Sequence, residues 1–230
     1  MTEQTPPQPA VRGRGTGLFV AFEGGDGAGK STQSRLLGQW LDEQGYAVLH
    51  TREPGGTVLG REIRELLLHG EDGSVSPRAE ALLFAADRAH HVASVVRPAL
   101  GRGKVVLTDR YLDSSVAYQG AARALGHEEV RELSLWAVEG LRPDLTVLLD
   151  VTAGEGRARR GEVHDRLERE ADDFHDRVRQ GFLDLAAREP DRYDVLDAAL
   201  PVEELAGQIR DRVAALLPQL REPAPGRGAR

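Results

Sequence analysis

The chain has 230 residues, of which 40% are apolar, and its formal net charge is −7. This length suits one ordinary domain with a proper core, and the acidic balance argues against nucleic acid as the main partner. The absence of cysteine excludes a disulfide framework and a thiolate metal site. No run is long enough to cross a membrane, and residues 1–15 lack an apolar stretch of the signal-peptide type. We therefore expect a cytoplasmic protein with no membrane partner.

Short apolar runs alternate with helically spaced segments along most of the chain. The runs predict five strands, at residues 18–22, 47–50, 104–108, 145–150 and 193–196. Helices are predicted at residues 31–43, 59–68, 79–100, 114–125, 129–140 and 202–217, and a further one, which follows the charged segment 154–170, ends at 187. Strands that alternate with helices predict an α/β fold, in which a parallel five-stranded sheet carries helices on both faces.

The two ends of the chain differ in composition from the rest. Residues 1–16 are rich in Pro, Gln, Arg and Gly, and we expect them to form a disordered tail. Residues 218–230 are expected to form a second, loose tail. The stretch between them, residues 17–217, contains no repeat and no internal boundary, so the sequence predicts a single domain.

The most informative motif follows the first predicted strand. Residues 24–31 fit the pattern G-x-x-x-x-G-K-[ST] of a phosphate-binding loop, or P-loop. Its glycines let successive N–H groups point at phosphate oxygens, and the next helix adds the positive end of its dipole. The alternative is a plain glycine-rich turn, but the flanking strand and helix favour a fold of the P-loop NTPase type. The expected nucleotide-binding residues are Gly24, Gly25, Asp26, Gly27, Ala28, Gly29, Lys30, Ser31 and Thr32.

Charged residues follow the second and third predicted strands. Arg52 and Glu53 come after one strand, and Asp109 and Arg110 come after the next. Ligands of an open parallel sheet bind at the carboxyl ends of its strands. We therefore expect these side chains to meet the P-loop around one cleft, although each pair alone fits a surface ion pair equally well.

Several segments resemble the thymidylate kinase family, in its order and spacing. Residues 109–119 are similar to the family signature, and residues 51–57 and 84–88 are similar to its second block and its base-binding helix. Residues 142–145 and 165–168 resemble further blocks. The resemblance covers the chain from about residue 18 to about residue 217, so only the two tails fall outside it.

The resemblance implies ATP-dependent phosphorylation of dTMP to dTDP, with Mg²⁺, in dTTP synthesis by a homodimer. The acceptor is a phosphate that is already largely ionised near neutral pH, so no strong general base is needed. Catalysis then consists mainly of positioning and of charge neutralisation on the transferred group.

The family implies roles for residues around the phosphates. Lys30 would bridge toward the transferring group, and Arg110 would grip phosphate between donor and acceptor. The Ser31 hydroxyl would bind Mg²⁺, and the Asp109 carboxylate would orient Mg²⁺ or its water molecules. The alternative for Asp109 is an ion pair with Arg110. Asp26 resembles the carboxylate that contacts the sugar 3′-hydroxyl, with a loop-stabilising acceptor as the alternative. A further residue, Arg52, resembles an arginine near the acceptor phosphate; its alternative is a surface arginine.

The resemblance also supplies a nucleoside site. Phe84 resembles the aromatic side chain that stacks on thymine, and Arg88, one helical turn later, resembles the group that bonds a thymine carbonyl. Without Arg88, Phe84 would be read as a core residue. Tyr118 resembles the tyrosine that crowds the sugar 2′ position. The remaining residues of this site are Ser114, Ser115 and Gln119.

A mobile lid is implied at about residues 154–168. Some family members carry a catalytic arginine in the P-loop, but this chain has Gly27 there. It matches the members that supply this charge from the lid. The candidates are Arg157, Arg159, Arg160 and Arg166, and the alternative for all of them is a solvated helix face.

Other functions remain open at this point. A deoxynucleoside kinase would need a general base, and Glu53 is the only obvious candidate at a strand end. A nucleotide-dependent switch is the rival from a different class, but the chain has no asparagine and hence no N-K-x-D guanine-reading motif. The histidines show no metal pattern. We expect His90 and His91 to be helix-surface or near-site residues rather than metal ligands.

Overall fold

A computed structural model describes residues 17–69, 75–159 and 165–221 of the chain. Its strands are β1 Leu18–Gly24, β2 Val48–Arg52, β3 Val105–Asp109, β4 Leu145–Asp150 and β5 Tyr193–Asp197. Its α-helices are α1 Lys30–Glu43, α2 Val58–Leu68, α3 Pro77–His91, α4 Arg97–Gly101, α5 Leu112–Ser115, α6 His127–Ala137, α7 Ala153–Arg159, α8 Asp172–Arg188, α9 Val202–Ala214 and α10 Pro218–Arg221. The segments Val92–Val96 and Val116–Ala122 are π-helical.

The strands form one parallel sheet in the order β2-β3-β1-β4-β5. The central strand, β1, is buried along its whole length, and its side chains alternate between the two faces. Val20 and Phe22 belong to a core cluster with Leu37 of α1, whereas Phe19 packs with Val96 on the other face. Helices therefore cover both faces, and the predicted α/β fold with a five-stranded parallel sheet is confirmed.

The predicted elements are recovered with small differences in their ends. The helix predicted at 79–100 runs from Pro77 through a π-helical segment to Gly101. Residues 218–230 were expected to be a loose tail, but α10 occupies their first part, and Leu220 packs against the core that contains Leu217. An apolar pair spaced by three residues explains this extra turn. The proposed tail 1–16 and residues 222–230 lie outside the described residues.

No helix within residues 17–69, 75–159 and 165–221 is long and apolar enough to cross a membrane. The carboxyl ends of the strands all point to one edge of the sheet, because every pairing is parallel. In the order found here, β1 has β3 on one side and β4 on the other. The loops that follow these three strands carry most of the predicted site residues.

Candidate active site

The P-loop joins β1 to α1 in an unusual backbone conformation. Gly24, Gly27 and Gly29 have φ values of 133°, 81° and 93°, which residues with a Cβ rarely adopt. Lys30 begins α1, and its Nζ donates to the carbonyl oxygens of Gly24 and Gly25 at 3.1 and 2.8 Å. Burial and the neighbouring Arg110 lower the pKa of the Lys30 ammonium. The lysine thus lies folded over the loop that would receive phosphate.

Two side-chain oxygen atoms that could bind a metal ion, one from Ser31 and one from Asp109, lie close together beside the P-loop. The Ser31 hydroxyl donates to Asp109 Oδ2 at 2.6 Å, although these residues are far apart in sequence. A hydroxyl and a carboxylate are hard oxygen ligands of the kind that Mg²⁺ prefers, and Mg²⁺ in nucleotide sites takes only one or two protein ligands. The donor set therefore fits the metal inferred from the sequence. Within the described residues no group of three or more His, Cys, Asp or Glu forms a different metal centre.

Arg110 is held at the centre of the site. Its φ is 68°, in the left-handed region, although it is not a glycine. One terminal nitrogen, Nη1, donates to the Gly24 carbonyl at 3.2 Å and to Ser114 Oγ at 3.1 Å. The other, Nη2, donates to Asp26 and, at 3.2 Å, to the Tyr118 hydroxyl. The carboxylate paired with Arg110 is therefore Asp26 rather than the adjacent Asp109, which Ser31 binds.

Asp26 connects the P-loop to the predicted sugar site. Besides Arg110, it accepts a hydrogen bond from the Tyr118 hydroxyl at 2.9 Å. Burial acts to raise the pKa of Asp26, but the charges of Arg110 and Lys30 outweigh it, and the pKa lies well below its usual range. Asp26 is therefore ionised at neutral pH and can accept a hydrogen bond from a ligand hydroxyl.

Arg88 of α3 is buried among acceptors. Its Nε donates to Glu53 Oε2 at 2.7 Å, and its Nη2 donates to Ser115 Oγ at 3.0 Å. Only 1% of the residue is exposed, yet it lines the same cavity as Phe84. The pair of residues predicted to recognise a base therefore lies at one wall of the site, with the arginine fixed in place.

Glu53 is fully engaged by protein groups. Its Oε1 lies 2.8 Å from His91 Nδ1, and the His91 Nε2 lies 2.6 Å from Thr51 Oγ1. His90 is exposed, as expected of a helix surface, but His91 is completely buried. Of the two expected positions, helix surface or near the site, His91 takes the second, because Thr51 of β2 and Glu53, which follows β2 and lines the cavity, supply partners for both ring nitrogens. The peptide bond between Glu53 and Pro54 is cis.

A cavity of about 540 Å³ opens at the carboxyl edge of the sheet. It brings together most of the predicted residues: Asp26, Gly27, Gly29, Lys30, Ser31, Thr32, Arg52, Phe84, Arg88, Asp109, Arg110, Ser114, Ser115, Tyr118, Gln119 and Arg159. Gly24, Gly25 and Ala28 belong to the P-loop but do not line this cavity. Gln119 also donates to Glu80 Oε1 at 2.9 Å, which fixes its amide at the cavity wall.

The arginines of the expected lid occupy different places. Arg157 is half-exposed and pairs with Asp172 of α8. Arg159 lines the cavity and donates to the Ala198 carbonyl at 2.8 Å. Arg166 does not line it: this side chain is buried, pairs with Glu80 and donates to the Leu67 carbonyl at 2.8 Å. Arg160 lies outside the described residues.

Some cavity residues were not predicted individually. Arg64 of α2 lines the cavity and donates to the Pro54 carbonyl at 3.0 Å. Burial and the nearby Arg52 lower the pKa of its guanidinium. Nothing in the local sequence separates it from Arg61, which lies on the same helix. Asp165 and Glu168 also line the cavity, and only their place in a family block could have indicated this.

The fold and the site define a class of protein. A parallel sheet with a P-loop after its central strand, and with charged residues from the adjacent strand ends around one cavity, is the architecture of a P-loop nucleotide-binding enzyme. The family model described as thymidylate kinase matches residues 22–209. The chain belongs to the thymidylate kinase family.

Individual relatives agree with this assignment. The thymidylate kinase of Leifsonia xyli subsp. xyli is 64% identical over 200 residues, which cover 86% of this chain and 94% of the relative. That of Clavibacter michiganensis subsp. michiganensis is 62% identical over 205 residues, or 88% and 97% of the two chains. A more distant one, from Symbiobacterium thermophilum, is 49% identical over 203 residues, or 88% and 95%. The family resemblance read from the sequence is confirmed.

Proposed function

We propose that the cavity binds ATP and dTMP together and transfers the γ-phosphoryl group of ATP to the dTMP phosphate, with dTDP and ADP as products. Phosphorylation of dTMP with ATP is the activity of the family to which the chain belongs. The observation that carries the proposal for this site is the position of Arg110, between the P-loop carbonyl of Gly24 and the carboxylate of Asp26. A cation in that place faces both the donor loop and the acceptor side of the cavity.

The donor phosphates belong in the P-loop. The backbone N–H groups of residues 24–32 and the amino end of α1 provide a positive concave surface for the β- and γ-phosphates. Lys30 already holds two loop carbonyls, and it would exchange these for phosphate oxygens when the nucleotide binds. Ser31 and Asp109 would hold Mg²⁺, which would supply charge neutralisation on the donor phosphates when bound.

The acceptor belongs on the side of β2, β3 and α3. Phe84 would stack on the thymine ring, and Arg88 would donate to a ring carbonyl, with Ser115 and Gln119 beside it. Arg52 lines the same cavity and would bind the dTMP phosphate. The ionised Asp26 would accept a hydrogen bond from the 3′-hydroxyl.

The sugar preference is assigned to Tyr118. Its ring is buried against Phe174 and Phe182, with centroids 6.0 and 6.3 Å away, and its hydroxyl binds Asp26. The Tyr118 ring is thus held in place by its packing against two aromatic rings and by the hydrogen bond of its hydroxyl group. A fixed side chain of this size would exclude a 2′-hydroxyl by filling the space that it requires.

The charge of the transition state is assigned to Lys30, Arg110 and the lid. Arg159 is the described lid arginine that lines the cavity, so it is the first candidate, and Arg157 could join it after leaving Asp172. Negative charge develops on the phosphoryl group during its transfer. Preorganised cations lower the activation barrier of this step most where water is excluded from the site. Residues 154–168 would form the lid that excludes water from the site. This lid would be part of a single domain that spans residues 17–217.

The alternative functions lose support from the same geometry. Glu53 would have to act as the general base of a deoxynucleoside kinase, but it is 3% exposed and both of its oxygens are bound, by Arg88 and His91. A phosphate acceptor needs no such base. A nucleotide switch without an acceptor does not account for the buried arginine and aromatic residue at the far wall of the cavity.

We also propose that the enzyme is a cytoplasmic homodimer. Leu59 and Leu66 of α2 and Leu82 of α3 are 43%, 58% and 58% exposed, and the two helices pack side by side. Exposed leucines on adjacent helices favour association with a second copy. Sedimentation velocity of the full chain and of Leu66→Glu tests this, since a monomer in both cases would refute the proposed dimer.

The decisive experiment is a substrate panel. The full chain is mixed with ATP and Mg²⁺ and offered dTMP, other nucleoside monophosphates and thymidine, and the products are separated. We expect dTDP as the main product and no product from thymidine. Phosphorylation of thymidine in place of dTMP, or ATP hydrolysis that is independent of every acceptor, would refute the proposal. Omission of Mg²⁺ with added chelator should abolish transfer if Ser31 and Asp109 serve a metal.

A further inference from the structure

We propose that Glu23 is a positioning residue that fixes Arg110 against the transferred phosphoryl group. The inference rests on the proposed function, in which Arg110 lies between donor and acceptor. Glu23 is the penultimate residue of β1 and is completely buried. It belongs to neither the P-loop motif nor the block that begins at Asp109.

Within the described part of the chain, Glu23 accepts three hydrogen bonds, and all of them come from the turn that follows Arg110. Its Oε1 accepts from the backbone N–H groups of Tyr111 and Ser114 at 2.8 and 3.1 Å. Its Oε2 accepts from the Ser114 hydroxyl at 2.6 Å, and the same hydroxyl oxygen accepts from Arg110 Nη1 at 3.1 Å. The carboxylate therefore reaches the guanidinium through a single hydroxyl group and also holds the backbone on which the arginine stands.

The backbone of Arg110 needs such support. Its φ of 68° is uncommon for a residue with a Cβ, and conformations of this kind persist only where the surroundings impose them. The Arg110 N–H donates to the Phe22 carbonyl at 2.9 Å, and the next N–H, that of Tyr111, donates to Glu23. Two successive residues of β1 thus hold both sides of Arg110, and this clamp keeps the side chain directed into the cavity.

Stability alone gives no reason for a carboxylate at this place. None of the ion pairs within residues 17–69, 75–159 and 165–221 includes Glu23. The charges of Asp113 and Arg110 act on the Glu23 carboxylate in opposite senses, because Asp113 repels its charge whereas Arg110 attracts it. Lys30 and Tyr193 also face it. A buried carboxylate without a direct counter-ion costs free energy, so its three bonds to one turn point to a role in placing that turn.

The test uses Glu23→Gln, which retains the size of the side chain. The glutamine oxygen can still accept from both N–H groups, but its amide nitrogen cannot accept from the Ser114 hydroxyl. We expect kcat for dTMP phosphorylation to fall by roughly tenfold or more, with KM for ATP and dTMP within about threefold, because Arg110 acts on charge that develops in the transition state. The melting temperature should change little.

The matched control is Asp113→Asn. Asp113 is equally buried and lies in the same turn, but its carboxylate pairs with Arg192 at 3.0 Å, away from Arg110. This variant should lose stability and retain the kcat of the folded enzyme. A loss of kcat in both variants, in proportion to their loss of stability, would show that Glu23 merely stabilises the turn and would overturn the proposal.

Ser114→Ala completes the experiment. If Glu23 acts through this hydroxyl, the losses of kcat in Glu23→Gln and Ser114→Ala will not add in the double variant. Additive losses would overturn the coupling. If Glu23→Gln does not fold, an unchanged kcat in Ser114→Ala overturns the proposal by itself.

Crystal structures of the wild type and Glu23→Gln provide a readout besides activity. We expect the Arg110 guanidinium to be displaced or its φ to leave the left-handed region. An unmoved Arg110 in a variant with reduced kcat would overturn the positioning role. A wild-type enzyme that fails to phosphorylate dTMP would refute the proposed function instead, and the comparison of Arg110 in the two structures would still decide the positioning role.

Discussion

Gly27 of the P-loop and Gly156 of α7 are in backbone contact. A Cβ added to Gly27 would lie 2.3 Å from the Gly156 carbonyl oxygen, and one added to Gly156 would lie 2.5 Å from the Asp26 carbonyl oxygen. Either distance is shorter than any van der Waals contact allows. Helix α7 therefore rests on the P-loop only because both positions lack a side chain, and this explains in steric terms why a P-loop arginine at position 27 does not suit this chain.

Gly156→Ala should separate α7 from the P-loop and lower kcat. The added methyl group meets backbone, which cannot turn aside, so the lid must shift and carry Arg159 away from the phosphates. A displacement of about 1 Å at a catalytic group typically costs on the order of 100-fold in rate. The matched control is Gly154→Ala in the same helix, where a Cβ meets nothing within 4 Å. Equal kcat values for the two variants would contradict the argument.

Lys30→Ala should reduce kcat by at least about 100-fold without unfolding the protein, because the ammonium neutralises charge that develops during transfer. Lys104 is the only other lysine of the chain and precedes β3, at the opposite edge of the sheet. Lys104→Ala is therefore the control, with kcat expected near the wild-type value. Circular dichroism verifies the fold of both. Near-normal turnover in folded Lys30→Ala would remove the P-loop lysine from the mechanism.

Tyr118→Ala should relax the discrimination against a 2′-hydroxyl by roughly 10- to 100-fold, because the space filled by the ring becomes free. The measurement is the ratio of kcat/KM for dTMP and for its ribonucleotide counterpart, which does not depend on the fraction of folded enzyme. Tyr118→Phe retains the ring but loses the hydrogen bond to Asp26, so it should keep the selectivity. An unchanged ratio in Tyr118→Ala would make Tyr118 a packing residue.

Glu23 should make stability dependent on pH. Burial, together with the nearby Asp113, raises the pKa of Glu23 from 4.5 to about 7 in the folded protein. A raised pKa contributes stability that is fully present below the unfolded value and is lost as pH rises through the folded value. Relative to Glu23→Gln, the wild type should therefore lose about 3 kcal/mol of unfolding free energy between about pH 4.5 and about pH 8. Urea unfolding of both proteins measures this, and the opposite trend would contradict the burial argument.

Two arginines of the proposed lid, Arg159 and Arg166, should behave differently. Arg166→Ala leaves Glu80 with Gln119 and Arg123 as its remaining partners, so it should cost about 3 kcal/mol of stability, as other broken buried ion pairs do. Arg159→Ala should leave the melting temperature almost unchanged and lower kcat. Thermal unfolding and kinetics of the two variants test the assignment. A large kcat loss in Arg159→Ala without any change in KM would favour a role in the transition state.

The sequence predicted the sheet well, because strands buried on both faces read as continuous apolar runs. It also predicted which residues meet around the cavity, since strand ends of a parallel sheet share one edge. The sequence did not reveal which side chains pair with the buried charged residues. Arg166 binds Glu80, 86 positions away, and Arg110 binds Asp26, 84 positions away. No local period or spacing encodes such pairs.

Glu23 and His91 were missed for the same reason. Glu23 directly follows the predicted apolar strand at residues 18–22 and therefore looks like an exposed residue at a strand end, but its partners lie 88 to 91 positions later in the chain. His91 was expected at the helix surface or near the site, and its burial follows only from the approach of Thr51 of β2 and of Glu53, which follows β2. Side chains whose roles depend on long-range contacts need the folded chain to be recognised.

The order of the strands separates the residues proposed to recognise the base from the proposed lid. β1 lies between β3 and β4, so the residues assigned to the acceptor, from β2, β3 and α3, are on one side of the P-loop. The lid and the Ala198 carbonyl that binds Arg159 follow β4 and β5, on the other side. A change of base preference, whether by selection or by design, can be sought at Phe84 and Arg88 in α3, away from the proposed lid. A change of sugar preference at Tyr118 also involves Asp26 of the P-loop and the aromatic residues of α8 that pack against Tyr118.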